Sequence, residues 1–332
     1  MEIEGESDIG IVVIGRNEGE RLRSCLSSLQ ESHCEVVYVD SGSTDNSIEL
    51  AKSFGCTIVK LDMSRPFSAA RARNAGVESL CQMGNKFDFV QFLDGDCEMD
   101  SKWLIKARKF LTENPSTAIV CGNRYERFPE KTVYNKLCAM EWQGEAGATT
   151  ACGGDSLVRL IAFQQVNGFD ESFICGEEPE LCFRLKARGW QVYRLDEPMT
   201  KHDADMTKLS QFLMRARRSG HAYAHNAVKH GRWLNRFRLR NVASILLFGA
   251  FIPLVSITLF FTIAPFYALL LLCIYPLTWL KMQMNKPRGR QPKDHMIYSA
   301  FVIIGKFAQV LGVIELAINS YRKRQTLLIE YK

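Results

Sequence analysis

No charged residue occurs from Asn241 to Leu280. A gap of that length excludes a water-facing surface for the segment and points to lipid. Acidic residues are missing from Lys208 to Arg240, a segment with nine Lys and Arg. The eleven cysteines are scattered, with no CxxC or other zinc spacing, which excludes a structural zinc site and suits small core residues in a reducing compartment. The opening residues, Met1-Glu2-Ile3-Glu4-Gly5-Glu6-Ser7-Asp8, lack the basic and apolar regions of a cleavable leader. The part before residue 207 is therefore expected to stay in the cytoplasm. No internal repeat and no low-complexity tract is present.

What is there alternates. Ile9 to Ile14 is a short β-branched run that ends in Gly15-Arg16-Asn17-Glu18. Leu22, Cys25, Leu26 and Leu29 then fall at helical spacing over 20–30. A second strand is expected from Glu35 to Asp40, a helix over 46–54 capped near Asp45, a third strand from Thr57 to Leu61, and a helix from Ala69 to Gln82. A fourth apolar run, Phe87 to Leu93, leads into Asp94-Gly95-Asp96. Such alternation predicts an α/β fold with a doubly wound, mostly parallel sheet sandwiched by helices. Right-handed crossovers bring the strand ends to one edge, where Arg16, Asn17, Asp40, Ser43 and Asp94 converge.

Asp94 and Asp96 are alternate residues of an extended segment, so their carboxylates point the same way. Gly95 between them permits a sharp turn and the close approach of a ligand. Two hard oxygen donors at a strand's carboxyl end suit a divalent cation, Mg²⁺ or Mn²⁺, that carries a diphosphate.

These segments form a pattern. Ile14-Gly15-Arg16-Asn17-Glu18, Val39-Asp40-Ser41-Gly42-Ser43-Thr44-Asp45, Ala72-Arg73-Asn74-Ala75-Gly76, Leu93-Asp94-Gly95-Asp96 and Gly176-Glu177-Glu178-Pro179-Glu180-Leu181 occur in that order. The series resembles the family 2 glycosyltransferases, with their Rossmann-like GT-A fold, over residues 9 to 205. The resemblance implies that Asp40 hydrogen-bonds the nucleotide base and that Arg16, Asn17, Glu18 and Ser43 line the donor pocket. Arg73 and Asn74 would contact the nucleotide, with Arg71 as a further partner. Asp94 would touch the ribose or the metal, and Asp96 would hold the metal. His202 falls where some GT-A enzymes place a third metal ligand; an ordinary surface histidine is the alternative.

The base of inverting members is the second acid of a Glu-Asp pair. Here the pair is Glu177-Glu178, one methylene longer at the second position, so Glu178 is the first candidate and Glu177 the second. Their place at a helix start also suits plain helix-dipole carboxylates. Gly153, Gly154 and Asp155 resemble the family's acceptor-side loop. Trp142 is available to stack on a sugar there, or is simple packing.

The basic segment 207–240, with Phe212, Leu213, Tyr223, Trp233 and Phe237, reads as juxtamembrane rather than as a nucleic-acid surface. The region 241–320 is expected to hold membrane helices at about 242–261, 265–281 and 296–318, followed by a tail at 321–332. Basic residues in the loop 281–293 place it in the cytoplasm. The third helix either spans, as in related enzymes, or lies at the interface, which keeps the basic tail inside.

The combined expectation is an inverting glycosyltransferase on the cytoplasmic membrane. It would take a nucleotide-sugar donor, UDP-linked by preference, and a lipid-linked or otherwise membrane-associated acceptor. Rivals are a polyprenyl-phosphate glycosyltransferase and a non-catalytic sugar-binding scaffold. A processive polymerase fits less well, because Gln211-Phe212-Leu213-Met214-Arg215 departs from a Q-x-x-R-W motif. No G-x-G-T-R loop follows the first strand, against a nucleotidyltransferase.

Overall fold

The computed structural model describes residues 8–231, 236–262, 265–287 and 290–322. The acidic opening 1–7, Trp233, Arg288 and the tail from residue 323 lie outside them. The chain divides into two compact units, Met1–Asp205 and Met206–Lys332.

The first unit is a nine-stranded sheet with helices on its faces. β1 (Ile9–Gly15) lies between β2 (Glu35–Asp40) and β4 (Phe89–Asp94), all parallel, and β3 (Thr57–Lys60) extends the sheet beside β2. β1 and β4 read as continuous apolar runs because both of their faces are covered. Helices α1 (Glu20–Ser27), α2 (Ser47–Ser53) and α3 (Ala69–Gln82) make the crossovers. α3 can sit close on the sheet only because of Gly76, where a Cβ would collide with Val12. The helix expected over 20–30 stops at Ser27, and a 3₁₀ turn covers Gln30–Ser32.

The parallel alternation read from the sequence covers this half. Beyond β4 the sheet is mixed. β5 is Cys97–Met99, β6 Thr117–Glu126, β7 Gly147–Ala148, β8 Ser156–Arg159 and β9 Gln191–His202. The order is β3-β2-β1-β4-β8-β6-β9-β5, with β7 on β9. β8 runs antiparallel to both β4 and β6, while β6 and β9 are parallel. Between these strands come α4 (Trp103–Glu113), α5 (Val133–Trp142), α6 (Leu160–Gln165) and α7 (Glu177–Ala187). Periodicity within a strand cannot reveal the direction of its neighbour, so this half was not legible in advance.

Register positions the site. Gly15 pairs with Asp40, and Ile14 pairs with Asp94, so the ends of β2 and β4 flank the end of β1. β9 brings its last residue, His202, opposite Cys97.

The second unit is helical. α8 (Leu209–His230) is followed by α9 (Leu239–Leu246), a π-turn over Leu247–Phe251 and α10 (Ile252–Thr262). Next come α11 (Pro265–Leu272), α12 (Ile274–Met284) and α13 (Pro292–Tyr321). Among the described residues, three helical stretches are long and apolar enough to cross a membrane: Leu239–Thr262, Pro265–Met284 and Pro292–Tyr321.

Candidate active site

Asp94 ends β4 and meets Arg73 of α3. Arg73 Nη2 donates to Asp94 Oδ1 at 2.8 Å, and its Nη1 donates to Glu177 Oε1 at 2.7 Å. Arg73 and Glu177 are both buried. One guanidinium therefore joins the DxD turn to the start of α7. Burial alone would raise the Asp94 carboxyl, but Arg73 and then Arg124 outweigh it and hold the group at about 2.

Asp155 lies beneath Asp94. Its Oδ1 accepts from the Asp94 backbone N–H at 3.1 Å, its Oδ2 accepts from Thr200 Oγ1 at 2.8 Å, and Arg124 Nη2 is 2.7 Å away. The residue expected on the acceptor side thus sits fully buried, supporting the DxD turn. Gly154 belongs to the same support, since a Cβ there would lie 2.7 Å from Asp94 Oδ2 and 2.8 Å from Arg73 Nη2. Gly153, with φ 79°, needs the left-handed region that glycine tolerates.

Among the described residues, two groups of side chains have the composition of a metal site. In the first, Asp94, Cys97 and Asp155, both carboxylates are already neutralised by Arg73 and Arg124. In the second, His202 Nε2 is 3.3 Å from Asp96 Oδ2, with Cys97 beside them. Burial, reinforced by Arg124, lowers His202 to about 4 and leaves a neutral imidazole. Its buried Nδ1 has no hydrogen-bond partner among the described residues. Burial also raises the Cys97 thiol, so it stays protonated and is a poor ligand. The pair Asp96 and His202 is therefore the donor set that fits a divalent cation.

At the start of α7, Gly176 takes φ 78° as the N-cap and delivers Glu177 and Glu178 in the first turn. The two acids have different surroundings. Glu177 is engaged by Arg73, whereas Glu178 has no ion-pair partner among the described residues. Burial first, then the charge of Glu177, pushes the Glu178 carboxyl up to about 7.

The donor-side residues gather at the same sheet edge, but several are engaged with the protein itself. Asp40 Oδ2 accepts from the N–H groups of Gly42 and Ser43 at 3.0 Å each, which shapes the turn after β2. Asn17, at φ 55°, ties the loop after β1 to that turn: its N–H donates to Ser43 Oγ, and its Oδ1 accepts from Thr44 N. Arg16 stacks over Phe67, and Glu18 pairs with Arg21. Arg71, expected as a further nucleotide partner, stands at the loop before α3. It is buried and donates to the carbonyls of Asp62, Arg65 and Pro66, so it holds the loop before α3. Asn74 exchanges hydrogen bonds with the backbone of Phe169. Trp142, half-buried, meets the His202 ring edge-on, centroids 4.7 Å apart.

Arg124 and Thr200 escaped the sequence reading. Nothing in Asn123-Arg124-Tyr125 marks a strand arginine as the partner of two aspartates, since both lie at least 30 residues away.

The family described as "Glycosyl transferase family 2" matches residues 10–157, and "Glycosyl transferase family group 2" matches residues 89–281. The chain belongs to the family 2 glycosyltransferases. It is 22% identical over 296 residues to succinoglycan biosynthesis protein ExoA of Rhizobium meliloti, covering 84% of this chain and 87% of that protein. It is 26% identical over 236 residues to the pre-mycofactocin glycosyltransferase of Mycobacterium tuberculosis, covering 67% of this chain and 48% of that one. O-antigen biosynthesis protein RfbC of Myxococcus xanthus is 24% identical over 57% of this chain and 17% of its own length. Among solved structures, mannosyltransferase PcManGT from Pyrobaculum calidifontis, in complex with GDP-Man and Mn2+, shares the fold with a TM-score of 0.63. That match is 15% identical and covers 93% of this chain and 87% of the other. The fold of this glycosyltransferase is accordingly GT-A, a curled mixed sheet with flanking helices, followed by apolar helices.

Proposed function

We propose that the chain is an inverting glycosyltransferase that moves a sugar from a nucleotide donor to an acceptor held at the cytoplasmic face of the membrane. The single observation that carries this reading is the contrast at the start of α7. Glu177 is consumed by Arg73, and Glu178 is left unpaired beside it with a carboxyl near neutrality. A hydroxyl acceptor becomes a good nucleophile only as its proton is removed, and a base works best with a pKa near the working pH. Glu178 takes that proton. Asp96 and His202 would hold the divalent cation, which supplies neutralisation of the departing nucleoside diphosphate. Mn²⁺ is the cation in the GT-A structure with GDP-Man, and it suits a site of one carboxylate and one imidazole here.

Arg73 and Asp155 orient the DxD turn, while Asp40 Oδ1, which accepts a long hydrogen bond from the Tyr38 hydroxyl at 3.5 Å, would also accept from the ring N–H of a base, uracil by preference. The relatives in succinoglycan and O-antigen biosynthesis support a lipid-linked saccharide as acceptor, as do the apolar helices.

Two outcomes are expected. Nucleotide-sugar binding by the purified chain in detergent will require Mn²⁺ and will be lost in Asp96→Ala, by titration calorimetry of each donor. Metal-independent binding of equal strength in the variant would refute this metal site. Secondly, the base acts when ionised, so activity is retained above the Glu178 pKa and lost below it. kcat/KM will fall about tenfold per pH unit well below pH 7. Glu177→Gln removes a neighbouring negative charge and will move that limb to lower pH.

A further inference from the structure

We propose that α13 lies flat in the membrane interface beside α8, so that only the hairpin 239–284 enters the hydrocarbon. The end of α13 then lies on the same side of the membrane as α8. This rests on the reading of the chain as membrane-attached.

The first ground is the partner that α13 has along its length. Phe212 of α8 stacks edge-on against Phe301, centroids 5.0 Å apart. Ala216 and Phe212 touch Gly305, Gly220 sits on the Gln309 carbonyl, and Gly312 sits on the Arg217 carbonyl. Arg217 then pairs with Glu315 at 3.0 Å. The two helices run in the same direction and in contact from 301 to 315. A Cβ at Gly220 or Gly312 would collide with backbone, so the approach is fixed by main chain rather than by adjustable side chains. α8 carries Arg215, Arg217, Arg218 and Lys229. If α13 crossed the bilayer, α8 would be drawn in with it, and each Arg or Lys is costly at the centre of a span.

The second ground is the direction taken by the hairpin's two legs. α9 starts at the end of α8, where Leu239 packs on Gly231. It comes back to cross α13 at Lys306, where Gly249 of the π-turn meets the Lys306 carbonyl. α12 departs from nearly the same place, with Tyr275 on Phe307 and on the Phe248 carbonyl. It then carries on toward the start of α13, away from the end beside which α9 began: Trp279 Nε1 donates to the Met296 carbonyl, and the Met282 carbonyl is 2.9 Å from His295 Nε2. The legs splay in opposite directions along α13. That helix therefore lies across the base of the hairpin rather than parallel to it.

The third ground is the face α13 leaves open. Gly305, Ala308, Gly312 and Leu316 are buried, while Ile304, Phe307, Leu311, Ile314 and Ile318 are exposed. Laid in the plane of the membrane, this stripe faces the hydrocarbon while the side with Gly305 and Gly312 rests on α8.

The full chain would be tested with an epitope tag at each end, in right-side-out and inverted membrane vesicles, by protease accessibility. Both tags on the same side is the expected result; tags on opposite sides would overturn the in-plane placement. A fluorescent amino acid at Ile304 or Ile318 gives a second reading with lipids brominated at shallow or deep carbons. An in-plane helix gives the same shallow quenching at both positions. A spanning helix separates them by about 21 Å of depth and gives unlike quenching. Recovery of the chain in the aqueous fraction would instead overturn membrane attachment itself, a failure these assays separate from a wrong topology.

Discussion

Glu178→Gln will lower kcat by about 10²–10⁴-fold while donor binding changes little. The amide keeps the size and the helix-start position of the carboxyl but cannot accept the acceptor's proton. Its removal touches no ion pair, because the Arg73 contact belongs to Glu177. The fold should therefore survive, and thermal unfolding will be close to that of the parent. Glu177→Gln gives the contrast: it leaves the base in place and weakens the Arg73 link, so it lowers stability and shifts the pH profile more than it lowers kcat at pH 8. Equal loss of kcat in the two variants, with stability unchanged in both, would refute the assignment of the base to Glu178.

Arg73→Met is expected to destabilise the catalytic unit by about 3–5 kcal/mol, the cost of leaving buried charges without their partner. Asp94 and Glu177 both lose their charge-assisted hydrogen bonds, and Glu177 is itself buried. In a unit of this size the unfolding midpoint should fall by roughly 10 °C. Arg73→Lys keeps the charge but lacks the planar fork that reaches two carboxylates at once, so it recovers only part of the loss. Thermal melts of the chain in detergent, followed by near-UV circular dichroism, measure both. A melt within 2 °C of the parent for Arg73→Met would show that the bridge contributes nothing to stability.

The donor half of the site was readable because local chemistry made it so. β1, β2 and β4 are apolar runs that end in Arg16, Asp40 and Asp94, and any parallel sheet gathers such ends at one edge. Less readable was what each side chain does on arrival. Arg71 and Asn74 stand beside Arg73 in one helix, yet they hold the 62–66 loop and the Phe169 backbone. Asp155 looked like a substrate contact and is a buried support of the DxD turn. For Arg71 and Asn74 the partner is a backbone group, and for Asp155 it is the Asp94 N–H together with the distant Arg124 and Thr200, none of which leaves a local signature in the amino-acid code.

The chain's own order of residues determined the strand–helix alternation, the DxD at the end of β4, the pair of acids at the entrance of α7 and the apolar helices of the second unit. Those follow from periodicity, capping and hydrophobic length, all of which act over a few neighbouring residues. Tertiary structure alone decided that Glu177 is consumed and Glu178 left unpaired, since Arg73 lies 104 residues away. It alone set His202 beside Asp96, through the register of β9 on β5, and α8 along α13, through two glycines with no side chain to hold the helices apart. Contacts between distant segments depend on the packing of the whole unit, and only the folded chain brings them together.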